Sequence, residues 1–327
     1  MEYRKLGTTD IEVSVIAQGC WPFAAKDTWG LQDEAVSIAT VNAALDAGIN
    51  FFDTAEGYGN GRSEAILGKG LKGRRHEAVI ATKVSAADPA QVKQACERSL
   101  RHLDTDVIDL YQIHWPRRNL PIADTMGALE RLKEQGKIRA IGVCNFGVGD
   151  MHDLPASTTC VTNQLPYSLL WRPIEDEIQP MCIKRGFGIL CYSPLSQGLL
   201  TGRYASADEV YEGLARTRLY AGARPNAKHG EPGCEAEVFS ALQKIREISG
   251  RMGEPMAVVS LAWARQQAGV TSLLLGARSP EELREDLPGA RLVLPEDMLK
   301  ELRAATEEVK KKVGSNPDMW SSKSRFR

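Results

Sequence analysis

The strongest constraint on the fold is a regular alternation of short apolar segments with helical segments along most of the 327-residue chain. Eight apolar segments have the length and composition of strands buried on both faces. They lie at residues 15–18, 50–53, 78–82, 107–113, 140–144, 161–164, 188–191 and 271–275. Amphipathic helices are predicted between most of them, at 34–47, 63–67 (with Ser63 as N-cap), 89–100, 122–134, 174–184 and 256–267. Buried strands joined by helices form a parallel sheet, and a count of eight favours an α/β fold closed into a (β/α)₈ TIM barrel.

Three further segments complete the expected architecture. Residues 3–6 and 12–15 flank the turn Gly7-Thr-Thr-Asp10 and predict an N-terminal β-hairpin. A long irregular segment at 206–233 follows the seventh strand, and a loop of that length is uncommon unless it is functional or disordered. No break in composition marks a boundary, so a single domain over 1–327 is predicted, with a loose basic C-terminal tail from about residue 314.

Composition excludes several classes of function. Forty-one basic and forty-two acidic residues give a net charge of -1, which does not indicate a nucleic-acid-binding or membrane-surface protein. Seven cysteines without a CxxC pair are typical neither of a disulfide framework nor of a zinc site. No signal sequence or membrane-spanning apolar stretch is present in the sequence, and we expect a cytoplasmic protein with no metal site.

The common motifs of nucleotide-binding proteins and hydrolases do not indicate a function for this chain. Residues 68–73 match G-x-G-x-x-G, but the match follows a predicted helix and precedes a strand, which is the reverse of the dinucleotide-binding context. We interpret these glycines as a helix end and turn. The P-loop, zincin and nucleophile-elbow patterns do not occur in the sequence.

Four ionisable residues lie at or just after consecutive strand ends: Asp53, Tyr58, Lys83 and His114. In a barrel of parallel strands these positions converge on one mouth. A lysine ammonium beside a tyrosine is expected to lower the pKa of the phenol, and a carboxylate would hold the ammonium in place. A neutral histidine would add a hydrogen-bond donor to a carbonyl oxygen. The four residues together indicate metal-free proton delivery to an oxygen that becomes an alkoxide.

The same residues resemble the catalytic tetrad of the aldo-keto reductase family. The resemblance rests on Asp53-Thr-Ala-Glu-Gly-Tyr58-Gly, on Ala81-Thr-Lys83 and on Gln112-Ile-His114-Trp115, and it extends over nearly the whole chain. It implies a (β/α)₈ barrel whose open end binds an extended NADPH. It also implies that Tyr58 is the general acid, that Lys83 and Asp53 tune it, and that His114 orients the carbonyl group.

Cofactor-binding positions follow from the resemblance as well. Gly142-Val-Cys144-Asn145-Phe is similar to the family's Gly-Val-Ser-Asn-Phe, which holds the nicotinamide amide, with Cys144 in place of serine. Tyr192 corresponds to an aromatic residue that stacks on the nicotinamide, and the segment after it corresponds to the pyrophosphate cradle. The full set implied toward the nicotinamide and pyrophosphate is Gly19, Trp21, Asp53, Cys144, Asn145, Gln164, Tyr192, Ser193, Pro194, Leu195, Gln197, Gly198, Leu200 and Arg203.

At the adenosine end the chain departs from the family pattern. Gly276-Ala277-Arg278-Ser-Pro-Glu-Glu282-Leu-Arg-Glu-Asp286 resembles the family's Gly-Ala-Arg-x-Pro-x-Gln-x-x-x-Asn. Arg278 is suited to a 2′-phosphate, whereas Glu282 and Asp286 replace amides and oppose that charge. The resemblance therefore implies NADP(H), with NAD(H) still open.

The expected activity is interconversion of an aldehyde or ketone and its alcohol, so the partner is a small carbonyl or alcohol substrate. Trp21, Tyr58, His114 and Trp115 are the expected pocket residues, with a contribution from the loop at 206–233. Two alternatives remain from the sequence: a cofactor-binding regulatory subunit of the same fold, and an aldolase that forms a Schiff base through Lys83. The oligomeric state stays open.

Overall fold

Eight parallel strands form a closed barrel in the computed structural model, which describes residues 1–85 and 88–327. The barrel order is β3 to β10, with β10 paired to both β9 and β3. The strands are β1 Tyr3–Lys5, β2 Glu12–Ser14, β3 Ile16–Gly19, β4 Phe51–Asp53, β5 Val79–Val84, β6 Ile108–Ile113, β7 Ile138–Cys144, β8 Cys160–Pro166, β9 Gly188–Tyr192 and β10 Val270–Leu275. All eight predicted barrel strands are confirmed, because apolar residues buried on both faces specify them strongly.

Helices surround the barrel and cover its outer face. They are α1 Lys26–Trp29, α2 Glu34–Asp46, α3 Arg62–Gly70, α4 Pro89–Leu103, α5 Ile122–Glu134, α6 Val148–His152, α7 Ile178–Arg185, α8 Glu235–Met252, α9 Met256–Arg265, α10 Pro280–Asp286, α11 Glu296–Ala305 and α12 Glu307–Val313. In α4 the Asp88 carboxylate caps the first turn by accepting from the amides of Ala90 and Gln91. None of the helices in the described ranges is both long and apolar enough to cross a membrane.

The start of α3 differs from the prediction. Gly61, in the left-handed region, is the N-cap, and Ser63 lies inside the helix. The Ser63 hydroxyl is buried, donates to the carbonyl of Cys20 and accepts from the hydroxyl of Thr54. The Ser63 hydroxyl, which the local sequence predicts to cap the helix, therefore forms hydrogen bonds with residues at the strand ends instead.

The glycines at 68–73 have a packing role, as the sequence context indicates. Gly68 and Gly70 lie in α3 and Gly73 in the following turn. A Cβ at Gly68 would lie 2.6 Å from the carbonyl oxygen of Leu103 in α4, and one at Gly70 would lie 2.8 Å from Val41 in α2. Glycine is required here because neighbouring helices approach closely.

The predicted N-terminal hairpin is confirmed and closes the amino-terminal end of the barrel. β1 and β2 pair antiparallel. Leu6, Ile11 and Val13 of the hairpin are buried in one apolar cluster with the barrel-interior residues Ala17, Phe51, Val79, Ala81, Leu110, Ala140, Val161, Leu190 and Leu274. With this end sealed by side chains, the carboxyl ends of the strands are left for a binding site.

The segment 206–233 is folded rather than disordered. It contains a short 3₁₀ turn at Ala207–Glu209 and a buried stretch around Leu214, Leu219 and Tyr220. Arg218 joins this segment to the end of the chain: its guanidinium forms an ion pair with Glu231 and donates to three carbonyls, those of Val313, Asn316 and Asp318.

The expectation of a loose tail from about residue 314 is wrong. Met319 and Phe326 are buried, and Asp318 is fully buried with a two-point ion pair to Arg325. The backbone amide of Arg327 donates to the carboxylate of Asp150 in α6. The basic and small residues of this segment indicate a tail, but its scattered apolar side chains find cover only when the barrel and the 206–233 segment are assembled.

We predict that the hairpin turn tolerates no side chain at Gly7. This residue has φ +57°, and a Cβ there would lie 2.2 Å from the carbonyl oxygen of Val161. Gly7→Ala should lower the free energy of unfolding by about 1–2 kcal/mol for the left-handed backbone and by about 1–3 kcal/mol more for the overlap.

Urea denaturation measures this loss, with Gly73→Ala as the control. Gly73 also has a left-handed φ of +80°, but a Cβ there meets nothing within 4 Å. The control should show only the backbone cost. Equal losses of unfolding free energy in the two variants would show that a side chain at Gly7 does not overlap with Val161 of the barrel.

Candidate active site

A cavity of about 1140 Å³ opens at the carboxyl ends of the barrel strands. Eight of its wall residues end a barrel strand or follow one directly: Gly19, Asp53, His114, Asn145, Tyr192, Ser193, Leu275 and Gly276. Gln164, also on the wall, lies two residues before the end of β8. The topology thus brings polar side chains distant in sequence to one chamber, as parallel barrels do.

The ammonium of Lys83 is the centre of the hydrogen-bond network below this cavity. Lys83 is fully buried, and its Nζ lies 2.6 Å from Asp53 Oδ1, 2.8 Å from the carbonyl oxygen of Thr54 and 3.2 Å from the Tyr58 hydroxyl. An ammonium has three protons, so all of them are used. Because Lys83 donates to the Tyr58 oxygen, the phenolic proton of Tyr58 remains available to an acceptor in the cavity.

The second oxygen of Asp53 is held by two glutamines. Gln164 Nε2 donates to Asp53 Oδ2 at 2.8 Å, and Gln112 Nε2 donates to the same oxygen at 3.3 Å. The sequence motifs assign no role to Gln112. The sequence does contain a pattern that indicates a site position for Gln112. Side chains two residues apart share a face of a strand, and Gln112 lies two residues before His114.

Burial governs the pKa of Tyr58, contrary to the sequence-based expectation. The Lys83 ammonium does act to lower the pKa, but burial outweighs it and raises the pKa of Tyr58 to about 12. Tyr58 therefore holds its proton throughout the neutral range. Burial has the largest single effect on the pKa of Lys83 and acts to lower it, but Asp53, Tyr58 and Cys144 together outweigh burial, and the pKa lies above its ordinary value.

His114 faces Tyr58 in its neutral form. The two rings are nearly perpendicular, with centroids 5.7 Å apart. Burial, followed by the positive charges of Lys83 and Arg117, lowers the pKa of His114 to about 3. A neutral imidazole can donate one hydrogen bond to a ligand oxygen without bringing a second cation into the cavity.

The side chain of Asn145 links His114 to Tyr192. Its backbone is left-handed, with φ +63°. Its amide nitrogen donates to the carbonyl of His114 at 3.1 Å, and its Oδ1 accepts from the Tyr192 hydroxyl at 3.0 Å. The ring of Tyr192 is thereby fixed as part of the cavity wall.

Most of the sequence-predicted residues lie on this wall, but three do not. Lys83 lies behind Asp53 and Tyr58, and Cys144 and Leu200 are buried away from the cavity. The Cys144 thiol donates to Gln112 Oε1 at a sulfur–oxygen distance of 3.6 Å. The structure does not place the side chains of Cys144 and Leu200 where they would touch a cofactor, because each packs into the protein interior.

The segment after β9 has the form of an anion cradle. Ser193, Ser196, Gln197 and Gly198 all have positive φ, between 48° and 95°. Runs of such residues can turn successive backbone amides toward one ligand. The Gln197 carboxamide is buried on the wall, and neither its nitrogen nor its oxygen has a hydrogen-bond partner among the described residues. Buried polar groups rarely lack partners, so this amide fits a ligand that supplies them.

The part of the wall around Arg278 carries charges of both signs. The Arg278 guanidinium donates to the carbonyl of Trp29 at 2.9 Å and lies 3.5 Å from Glu282 Oε1. Burial, followed by the charges of Glu282 and Glu285, raises the pKa of Asp286 to about 7. Glu285, which sequence reasoning missed, lines the cavity beside them.

The 206–233 segment and the chain end supply a further part of the wall. Arg216 and Tyr211 come from the former, and Trp320 and Arg325 from the latter. The Arg325 guanidinium lies 3.6 Å from the Trp115 ring centroid. Sequence reasoning expected a contribution from 206–233 but missed that of the chain end, for which the aromatic Trp320 was the available signal.

No three His, Cys, Asp or Glu side chains come together as a metal site among the residues that the structure describes. All seven cysteines are buried free thiols.

Comparison with known proteins places these features in a family. The model of the Aldo/keto reductase family matches residues 15–307. The NADH-specific methylglyoxal reductase of Escherichia coli is 32% identical over 92% of this chain and 98% of its own length.

Solved structures agree with this match. A glycerol dehydrogenase from Gluconobacter oxydans superposes with a TM-score of 0.81 at 29% identity, covering 96% of this chain and 97% of that one. An aldo-keto reductase from Klebsiella pneumoniae, in complex with NADPH, superposes with a TM-score of 0.73 at 27% identity, covering 93% and 95%.

We predict that Asp53→Asn strongly destabilises the protein by leaving the Lys83 ammonium buried without its counterion. Breaking a buried pair from one side costs about 3–5 kcal/mol in free energy of unfolding. The loss should shrink as pH rises toward the ordinary lysine pKa of about 10.4, because the variant favours the neutral amine.

Denaturant titration at several pH values measures both effects. Asp46→Asn is the matched control, since Asp46 pairs with Arg74 at 2.7 Å but is largely exposed, and such pairs contribute about 1 kcal/mol or less. A loss at Asp53 no larger than that at Asp46 would contradict the central role given to the buried pair.

Proposed function

The chain belongs to the aldo/keto reductase family of oxidoreductases, and we propose that it is an NADP(H)-dependent carbonyl reductase in which Tyr58 is the general acid and base. It would interconvert an aldehyde or ketone and the corresponding alcohol. The observation that carries the proposal is the arrangement of Lys83: its ammonium donates to the Tyr58 oxygen at 3.2 Å and leaves the phenolic proton free.

In reduction, Tyr58 donates its proton to the carbonyl oxygen as negative charge develops there. Its pKa of about 12 keeps it in the donor form at neutral pH. The alkoxide is a stronger base than tyrosinate, so the transfer is downhill. Neutral His114 donates a hydrogen bond to the same oxygen and orients it. A nicotinamide cofactor, when bound, supplies the hydride.

In the alcohol-oxidising direction the tyrosinate must form first. Lys83 stabilises that anion, because its ammonium already donates a hydrogen bond to the oxygen. Asp53 holds the ammonium on the other side at 2.6 Å, and the glutamines hold Asp53. Lys83 and Asp53 are thus positioning residues for both directions.

The wall residues fit a dinucleotide. The unpaired Gln197 carboxamide and the left-handed backbone after Tyr192 would hold the pyrophosphate, with Arg203 close to Gly198. Asn145, Gln164 and Tyr192 would position the nicotinamide, and Arg278 would bind the 2′-phosphate. An NADPH complex of a relative at 27% identity supports this assignment.

NAD(H) is the second candidate for the cofactor. The Glu282 carboxylate already accepts a hydrogen bond from the backbone amide of Arg278 and forms an ion pair with the Arg278 guanidinium. A 2′-phosphate must therefore compete with a carboxylate for Arg278. Glu285 and Asp286 add like charge to that end of the cavity. The existence of an NADH-specific relative agrees with such an arrangement.

The aldolase alternative is disfavoured by the same contacts. A Schiff base requires a neutral, accessible amine. Lys83 is fully buried, all three of its protons are used, and its pKa is raised by Asp53. The other alternative is a cofactor-binding regulatory subunit of the same fold. Reduction of any carbonyl compound by the protein would exclude it.

We predict that Tyr58→Phe lowers kcat for carbonyl reduction about 10²- to 10⁴-fold, because it removes the proton donor and keeps the ring. Cofactor affinity should stay nearly unchanged. Stopped-flow NADPH oxidation and a fluorescence titration measure the two quantities.

Tyr111→Phe is the control, since Tyr111 is a buried tyrosine that lies outside the cavity wall. It should keep wild-type turnover. A Tyr58→Phe variant with a kcat close to wild type would remove Tyr58 from the role of general acid.

We predict that Arg278→Ala weakens NADPH binding by about tenfold and leaves NADH binding nearly unchanged, because a charge-assisted hydrogen bond to phosphate is lost. Titration of tryptophan fluorescence gives both dissociation constants. Arg284→Ala is the control, since Arg284 is exposed, pairs with Glu281 and lies off the cavity wall. Tighter binding of NADH by the wild type, or equal weakening of both cofactors, would refute the NADP(H) assignment.

A further inference from the structure

Arg216 is a cationic wall residue that the reaction proposed above does not use. It lies in the 206–233 segment and lines the cavity. Its guanidinium carbon lies 5.4 Å from the centroid of the Trp21 ring and 4.7 Å from that of the Trp320 ring. Three parts of the chain that are remote in sequence therefore meet around one positive charge.

This guanidinium has no anionic partner in the described part of the chain. No hydrogen bond or ion pair involves its side chain there, and Nε is buried without an acceptor. Burial lowers the pKa of Arg216, and no carboxylate offsets that effect. The neighbouring Arg218 and Arg325 differ, since each has a carboxylate within 2.6 Å.

Aromatic contacts do not replace the missing partner. Two tryptophan rings stabilise a cation, but they offer no acceptor in the plane of its N–H groups. Arginine left in this state is suited to a planar anion that accepts two parallel hydrogen bonds, which is the geometry of a carboxylate.

The position of Arg216 relative to the proposed acid defines the ligand. The Trp21 ring centroid also lies 6.3 Å from that of Tyr58. The distance from the Arg216 guanidinium carbon to the Trp21 ring and the distance from the Trp21 ring to the Tyr58 ring together set an upper limit on how far Arg216 lies from the Tyr58 ring. A small molecule whose carbonyl oxygen contacts Tyr58 can extend to Arg216 through a short spacer.

We propose that Arg216 binds the carboxylate of the substrate, so that this protein acts on oxo acids, carbonyl compounds with a carboxylate at the far end of a short spacer. The inference rests on the proposed function of the same cavity. It assigns to the 206–233 segment the selection of an anionic substrate, while the strand ends supply the chemistry.

The probes are 4-formylbenzoate and 4-formylbenzamide, which share a carbonyl group and shape and differ in charge. Calorimetric titration of the full chain, saturated with NADP⁺, gives both affinities without turnover. The wild type should bind the carboxylate at least about tenfold more tightly than the amide. Added salt should reduce this preference, because the cavity is open to solvent.

Variants of Arg216 identify the source of the preference. Arg216→Gln should reduce the ratio to about one and leave amide binding unchanged, whereas Arg216→Lys should keep part of it. Arg303→Gln is the matched control: Arg303 also lies over a tryptophan ring, that of Trp263, but outside the cavity wall. It should keep the wild-type ratio.

Two results would overturn the inference. One is equal affinity of the wild type for both probes, or a preference that survives Arg216→Gln. The other is a loss of NADP⁺ affinity in Arg216→Gln as large as the loss for the carboxylate, which would assign Arg216 to the cofactor.

Turnover with NADPH separates this inference from the proposed function. If the amide is reduced without any preference for the carboxylate, the reductase function stands and the inference fails. If neither aldehyde is reduced by NADPH or NADH, the proposed function fails, and a carboxylate preference that depends on Arg216 in the titration still supports an anion site at Arg216.

Discussion

The buried ion pair between Lys83 and Asp53 is the interaction on which the arrangement of the site depends. Two charges removed from water are stable only when every remaining hydrogen-bond group has a partner. Here the ammonium satisfies its three protons on Asp53, the Thr54 carbonyl and Tyr58, and two glutamines satisfy the carboxylate. The Tyr58 oxygen is therefore held in one position with its proton directed away from the pair.

The upper part of the cavity depends on a different interaction. Arg218 ties the 206–233 segment to the chain end through Glu231 and three backbone carbonyls. This connection places the Trp320 ring 4.7 Å from the guanidinium carbon of Arg216, which also lies 5.4 Å from the Trp21 ring. The strand ends thus place the residues that we propose carry out the reaction, and the late segments of the chain place the cation that we propose selects the substrate.

The cations on the cavity wall differ in whether they have a carboxylate partner. The adenosine end combines Arg278 and Arg203 with Glu282, Glu285 and Asp286, so its cations have nearby carboxylates. Arg216 has no carboxylate partner among the residues that the structure describes. A negatively charged ligand would therefore compete with Glu282 at Arg278, whereas at Arg216 it would meet no competing carboxylate from the described residues.

The sequence by itself determined the barrel, its hairpin and the strand-end residues, because apolar runs and their period depend on local order in the chain. It also marked Asp53, Tyr58, Lys83 and His114. Only the tertiary structure decided the pKa of Tyr58, where burial outweighs Lys83. It also decided the packing of the segment after residue 314 and the unpaired state of Arg216. Burial and the partners of a charge are set by residues far away in the sequence, so no local pattern can encode them.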